Sequence, residues 1–232
     1  MQIETIYEDD FVIAVNKPNN VLVYASYFAR NIKDADLVTL LKEQYGKDYY
    51  PIHRLDRKTS GVLLLAKEKE FVKDFQQQFE NAEVQKTYFA VVRGFCQPAG
   101  IIDTPTKNAE TRKYKDALTE YETLETIELD IPVHPYETSR YSLVKFTPKT
   151  GRMHQLRIHA NKISHPIVGD YQYGDRFHNR MFEQDFNWNN MFLHADSITI
   201  SHPNSKEKLS LKAHFPKDWI ELFKKFKWHI PE

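Results

Sequence analysis

The sequence predicts a chain of mixed α and β structure, and three observations carry that expectation. Short runs rich in β-branched and aromatic residues recur along the chain, such as Val84 to Gly94, and this is strand composition. Between them lie stretches with an apolar residue every three or four positions, such as Phe71, Phe75 and Phe79, which mark amphipathic helices. The length of 232 residues allows one large domain or two small ones around a sizeable core.

Taken in order, Ile3–Tyr7 and Phe11–Val15 read as two short strands around the turn Glu8-Asp9-Asp10. Pro18 ends the second, and Asn19-Asn20 favours a tight turn. Asp34–Gly46 reads as a helix: Asp34 or Asp36 caps it, Leu37, Leu40 and Leu41 form its stripe, and Gly46 ends it. Thr59-Ser60-Gly61 is a turn, and the apolar run over Gly61–Lys67 reads as a short, fully buried strand. Lys69–Glu80 is an amphipathic helix whose phenylalanine stripe faces the core. Val84–Gly94 is a strand. Cys96–Lys115 reads as a connecting segment with a short strand at most, because Pro98, Gly100 and Pro105 interrupt it. Ala117–Leu129 and Arg140–Thr147 read as strands. Arg152 opens a helix that ends near Ile163. Phe177–Asn190 reads as a loop with some helix. Phe192–Ala195 and Ile198–Ile200 form a strand, and Asp218–Lys227 a closing helix.

Apolar and charged contents of 41% and 28% fit a soluble globular protein. The single cysteine, Cys96, excludes a disulfide framework and suits a reducing cytosol; it reads as a small buried apolar residue. The N-terminus has no basic region followed by an apolar one, and no apolar run approaches the ~20 residues of a membrane span. The expectation is a soluble, cytoplasmic protein with no membrane association. A net charge of zero argues against a nucleic-acid binder, but the charges are segregated. Thr138–Gly169 has no Asp or Glu and carries Arg140, Lys145, Lys149, Arg152, Arg157 and Lys162. Thr119–Ser139 carries six acids and no Lys or Arg. A local basic face of this kind binds phosphates even on a neutral chain.

The most informative stretch is His53-Arg54-Leu55-Asp56-Arg57-Lys58-Thr59-Ser60-Gly61. It sets one carboxylate among three cations and a histidine, in a polar loop that feeds directly into the core. Local spacing leaves two readings of Asp56 open: a structural ion pair, or a carboxylate kept ionised by its neighbours and able to act as a nucleophile. The whole string, His-Arg-Leu-Asp-x-x-Thr-Ser-Gly, resembles the active-site loop of the RluA family of pseudouridine synthases. Three further stretches match patterns of that family. They are Asn16-Lys17-Pro18; Lys86, Tyr88, Ala90, Val92 and Gly94; and Gly151-Arg152-x-His154-Gln155-Leu156-Arg157-x-His159. Lys17 itself reads as structural. His165–Asp170 with Tyr173-Gly174-Asp175 matches another block of the family.

The resemblance implies the pseudouridine synthase fold: a single α+β catalytic domain over residues 1–232, with a mixed, mainly antiparallel sheet split by a central basic cleft. Many members of the family carry a small extra RNA-binding module at the N-terminus; the expectation here is a departure from that pattern, with no such module. The resemblance assigns Asp56 as the indispensable catalytic residue, Tyr88 to the active site under the target base, and Arg157 to a pair with Asp56. A guanidinium holds a carboxylate in a fixed bidentate geometry and keeps it anionic. Leu156 then lines the pocket under Tyr88, and Arg54 holds the place of a flipped base, with a structural ion pair as its alternative. Arg152 and His154 belong to the substrate-binding set. The reaction isomerises uridine to pseudouridine and needs no cofactor.

Pro135–Tyr141, Pro148–Arg152 and Gly169–Arg180 are similar to a tRNA-modifying branch of the family, which implies a tRNA substrate and uridine 65 of the T-stem. Ribosomal RNA or another tRNA site is the alternative target. A non-catalytic RNA-binding module and a metal-dependent phosphodiesterase that uses the histidines are the alternatives. His154 and His159 stand five apart, on different helix faces, with no carboxylate near in sequence, which is unlike a zinc ligand set. No metal and no obligatory protein partner are expected.

Overall fold

A computed structural model describes residues 1–25, 34–107 and 111–231. In chain order the elements are β1 Glu4–Glu8, β2 Val12–Lys17, α1 Leu37–Tyr45, β3 Tyr50–Pro51, β4 Ser60–Ala66, α2 Val72–Glu80 and β5 Gln85–Arg93. Then follow β6 Ala99–Asp103, β7 Thr106–Lys107, β8 Tyr114–Lys115, β9 Leu118–Leu129, β10 Ser139–Pro148, α3 Gln155–Lys162, α4 Arg176–Phe186, β11 Leu193–Ser201, β12 Lys208–Lys212 and α5 Lys217–Phe226. The chain is α+β with a mixed, mainly antiparallel sheet, as the resemblance implies. No described helix is long and apolar enough to cross a membrane. Two compact units divide it: residues 1–86 with 195–214, and 87–194 with 215–232.

In the first unit the strand order is β1-β2-β4-β11, with β3 on β4 and β12 on β11. Every residue of β4 is buried, as its unbroken apolar run predicts. Gly61, second in that strand, lies at φ 115°, and a Cβ there would lie 2.1 Å from the Ala195 carbonyl oxygen of β11, so only glycine admits the close approach. Asp36 caps α1 by accepting from the Thr39 amide at 2.9 Å, and Gly46 closes it in the left-handed region. Phe75 is fully buried, while Phe79 stacks on His53 at a centroid distance of 5.0 Å.

In the second unit β5-β10-β9-β6 form an antiparallel array. The period of two along β5 and β10 separates two cores. Phe89, Val91, Tyr141 and Leu143 join the aromatic cluster of α4 and α5, which includes Phe182, Trp219, Phe223 and Phe226. Ala90, Val92, Val144 and Phe146 join Cys96 and the α3 residues Leu156 and Ala160 on the opposite side. Tyr88 packs against that second cluster, which places it with Leu156. Cys96 is buried and free, as its type predicts.

The structure departs from the sequence reading at four places. Cys96–Lys115 holds three short strands rather than one at most, because β6 pairs along the edge of β9 and β7 pairs with β8. Residues 176–186 form a full helix, capped by Asp175. Its buried face includes His178 and Asn179, which bond to Tyr141 and to the backbone of Gly169 and Asp170, so hydropathy does not reveal it. α3 begins at Gln155, not Arg152, and His154 stands outside it at φ 56°. Finally, three cations of the acid-free segment face the acids that precede it. β9 and β10 pair Lys145 with Glu122 and Arg140 with Glu128 in register, and Lys149 reaches Glu120 at 2.6 Å. Charge that is segregated in sequence is neutralised across the ladder.

Candidate active site

The Asp56 loop is stitched to the turn that follows β2. Lys17 is fully buried, and its ammonium donates to three backbone carbonyls: Pro18 at 2.8 Å, Val21 at 2.8 Å and Arg57 at 3.1 Å. Three N–H donors meet three acceptors. Burial pushes the Lys17 amine down to about 7, against the pull of the Asp56 charge and with a smaller push from Arg57. Lys17 is thus structural, as the sequence reading has it, and touches the Asp56 loop itself. Asn19 Nδ2 donates to the Lys58 carbonyl at 2.6 Å, and Arg57 Nε donates to the Asn20 carbonyl at 3.0 Å. The Thr59 amide closes the loop on the Asp56 carbonyl at 3.0 Å. Asp56 is half-buried at the top of this mount, between exposed Arg54 and half-buried Arg57. Arg54 donates to the Tyr24 hydroxyl at 3.2 Å and lies over that ring at 5.6 Å.

His53, first in the motif, is a support rather than an acid or base. Its Nε2 accepts from the Leu64 amide at 3.1 Å. Burial pushes the imidazole down to about 3, and Lys86 adds to the shift, so the ring is neutral at pH 7 with its proton on Nδ1.

In the second unit the motif around Arg157 is built on Gln155. That buried side chain accepts from the Thr150 hydroxyl at 2.7 Å and the Arg152 amide at 3.0 Å, and it donates to the Leu118 carbonyl and the Thr119 hydroxyl. All its valences are used, which sets where α3 starts. Arg157 lies on α3, 7% exposed. Its Nε and Nη2 donate to the two oxygens of Asp170 at 2.7 and 2.8 Å. Asp170 is fully buried and also accepts from the amides of Gln172 and Tyr173. Burial raises its carboxyl, but the bonds and charge of Arg157 together with the two amides hold it below the usual range. The sequence marks Asp170 only as the acid that follows Gly169; in the structure that glycine lies at φ 78°, where no Cβ fits.

Arg152 is exposed, with Nε donating to the Asp116 carbonyl at 3.0 Å. His154 Nδ1 meets the Tyr173 hydroxyl at 3.0 Å, and the Arg157 guanidinium lies 5.0 Å from the Tyr173 ring centre. His159 is buried between the Thr119 hydroxyl and the Thr104 carbonyl. Nε2 must donate to the carbonyl, so Nδ1 accepts, and burial keeps the ring neutral. Among the described residues no three His, Cys, Asp or Glu side chains group to hold a metal ion. Tyr88, Leu156, Arg157, Arg152 and His154 thus lie in one unit, and Asp56 and Arg54 in the other.

Residues 11–162 match the family model described as RNA pseudouridylate synthase, a span that includes every one of these candidate positions. The chain belongs to that family and is an RNA pseudouridine synthase, an isomerase. Within the family it is similar to tRNA pseudouridine synthase C of Haemophilus influenzae, 41% identical over 97% of this chain and 98% of the relative. It is also similar to tRNA pseudouridine synthase C of Pasteurella multocida, 39% identical over 99% and 98%. The structure of human RNA pseudouridylate synthase domain containing 4 superposes with a TM-score of 0.74 at 23% identity, covering 99% of this chain and 95% of that one, and so shares its fold.

Proposed function

We propose that this enzyme isomerises uridine to pseudouridine in tRNA, at position 65 of the T-stem, in the cytoplasm. The observation that supports it most is near-full-length similarity to tRNA pseudouridine synthase C, joined to an intact His53–Gly61 string. Asp56 initiates the reaction. The bond from the ribose to N1 of the base breaks, the base turns, and a bond from the ribose to C5 replaces it. The C5 proton leaves and N1 gains one, so the step balances without redox or a group donor.

The base leaves its stack to expose these atoms, at a cost of a few kcal/mol. Tyr88 gives the flipped base a new aromatic face, worth about 1–3 kcal/mol. Leu156, which shares Tyr88's apolar cluster, lines the pocket beneath it. Arg54 fills the vacated place in the helix; its exposure suits that role. Arg157 holds the anionic centre, and Arg152 and His154 contact the substrate. The whole chain acts as one catalytic domain.

The test is incubation of unmodified tRNA transcripts with the wild type and with Asp56→Ala, followed by carbodiimide labelling and primer extension. A new stop at position 65, absent with the variant, is expected. A stop elsewhere refutes the site assignment, and equal modification by Asp56→Ala refutes the role of Asp56.

A further inference from the structure

The acids of β9 engage Arg140, Lys145 and Lys149, whereas Lys107, Arg112 and Lys162 of the second unit line a groove. This groove of about 550 Å³ lies between the β7–β8 ribbon and α3, within the ~300–1,000 Å³ range of ligand pockets. Lys107 and Tyr114 are directly opposed in the ribbon register, so they stand on the same face. Arg112 lines the same wall. The other wall is one face of α3 and its N-cap, where His154, Ile158 and Lys162 stand four apart. Tyr173 lines the groove as well, and its ring is the one that Arg157 covers.

Among the described residues no Asp or Glu lines this groove. Lys107, Arg112 and Lys162 are exposed, and among the described residues they have no carboxylate partner. Tyr114 is 71% exposed, an aromatic face held ready on a paired strand. Cations without acids beside an open aromatic ring suit a phosphate backbone and one unstacked base. A continuous duplex offers phosphates but no base face for Tyr114.

We propose that this groove holds a single-stranded segment of the substrate RNA next to the target uridine, with one base stacked on Tyr114 and phosphates on Lys107, Arg112 and Lys162. The proposal rests on the reading of the protein as a tRNA enzyme and adds the place where a flanking strand is held open. Tyr173, which lines the groove, lies 5.0 Å from the guanidinium of Arg157, a residue of the proposed substrate site.

The experiment measures binding of unmodified tRNA transcript over a range of salt, and pseudouridine formation with the same RNA. Tyr114→Ala should weaken binding about tenfold, and Tyr114→Phe should retain it, because stacking needs the ring and not the hydroxyl. Lys107→Ala with Arg112→Ala should reduce the slope of log affinity against log salt by about 1.4, at about 0.7 per lost single-strand contact. Lys217→Ala, which removes an exposed cation on α5, should change neither quantity. Wild-type affinity and slope in the groove variants overturn the proposal. Weakened binding by Tyr114→Ala, with no pseudouridine made by the wild type, supports the groove and refutes tRNA as the reacting substrate.

Discussion

Replacing Asp170 by asparagine removes one charge and almost no volume. One carboxylate oxygen accepts from Arg157 Nη2 at 2.8 Å and from the amides of Gln172 and Tyr173 at 2.9 and 3.1 Å, and the other accepts Arg157 Nε at 2.7 Å. The asparagine oxygen takes the first position, where three donors converge. Its NH2 group then points at Nε–H, donor against donor, and a guanidinium only 7% exposed loses the Asp170 charge. Breaking a buried pair on one side costs about 3–5 kcal/mol. With an m-value near the upper end of the usual ~1–3 kcal/mol/M, the urea midpoint falls by about 1–2 M. Pseudouridine formation falls with it, because Arg157 loses the contact that orients it.

Lys149→Ala is the comparison. Its bond to Glu120 is shorter, at 2.6 Å, but both side chains are more than 40% exposed, and such a pair is worth about 0–1 kcal/mol. The carboxyl of Asp170 lies below its ordinary value, so the wild type keeps this stabilisation above about pH 4 and loses it as pH falls through the depressed value. The difference between wild type and Asp170→Asn should therefore shrink in acid. An Asp170→Asn midpoint as close to wild type as that of Lys149→Ala would refute the reasoning.

His53 is held neutral down to about pH 3, whereas an unfolded histidine protonates near 6.5. The unfolded chain takes up a proton that the folded one refuses, so stability should fall by about 1.4 kcal/mol per pH unit as pH drops from 6.5 towards 3. His53→Gln should lack that component in urea titrations at several pH values, and an unchanged slope would sink the assignment. Gly61→Ala sets a Cβ on the Ala195 carbonyl at positive φ, which should lower stability by at least about 2 kcal/mol and Tm by about 4–8 °C or more. A calorimetric Tm within a degree of wild type would contradict that contact.

The local features of the site were legible from the chain itself. The buried run of β4, the cap of α1 and the faces of β5 follow from periodicity and turn chemistry within about ten residues, and the string around Asp56 is legible by its resemblance to the family. The family patterns placed Tyr88 and Leu156 together, and they share one cluster. What the sequence could not settle is which residue answers another across the fold. Arg157 binds an acid thirteen positions away. Gln155, by bonding to β9, moves the start of its own helix. The polar residues that bury α4 look like a loop until Tyr141 and Gly169 supply their partners. The charge pattern misled for the same reason. Acids and bases that occupy separate segments of sequence become neighbours once β9 and β10 lie in register, while Lys107, Arg112 and Lys162, beside the β7–β8 ribbon and on α3, have no carboxylate partner among the described residues. Periodicity and caps are written in neighbouring residues, so the sequence alone determined most of the elements and the His53–Gly61 string. Pairing, neutralisation and register depend on residues far apart in the chain, so only the tertiary structure decided where the charge of this protein acts.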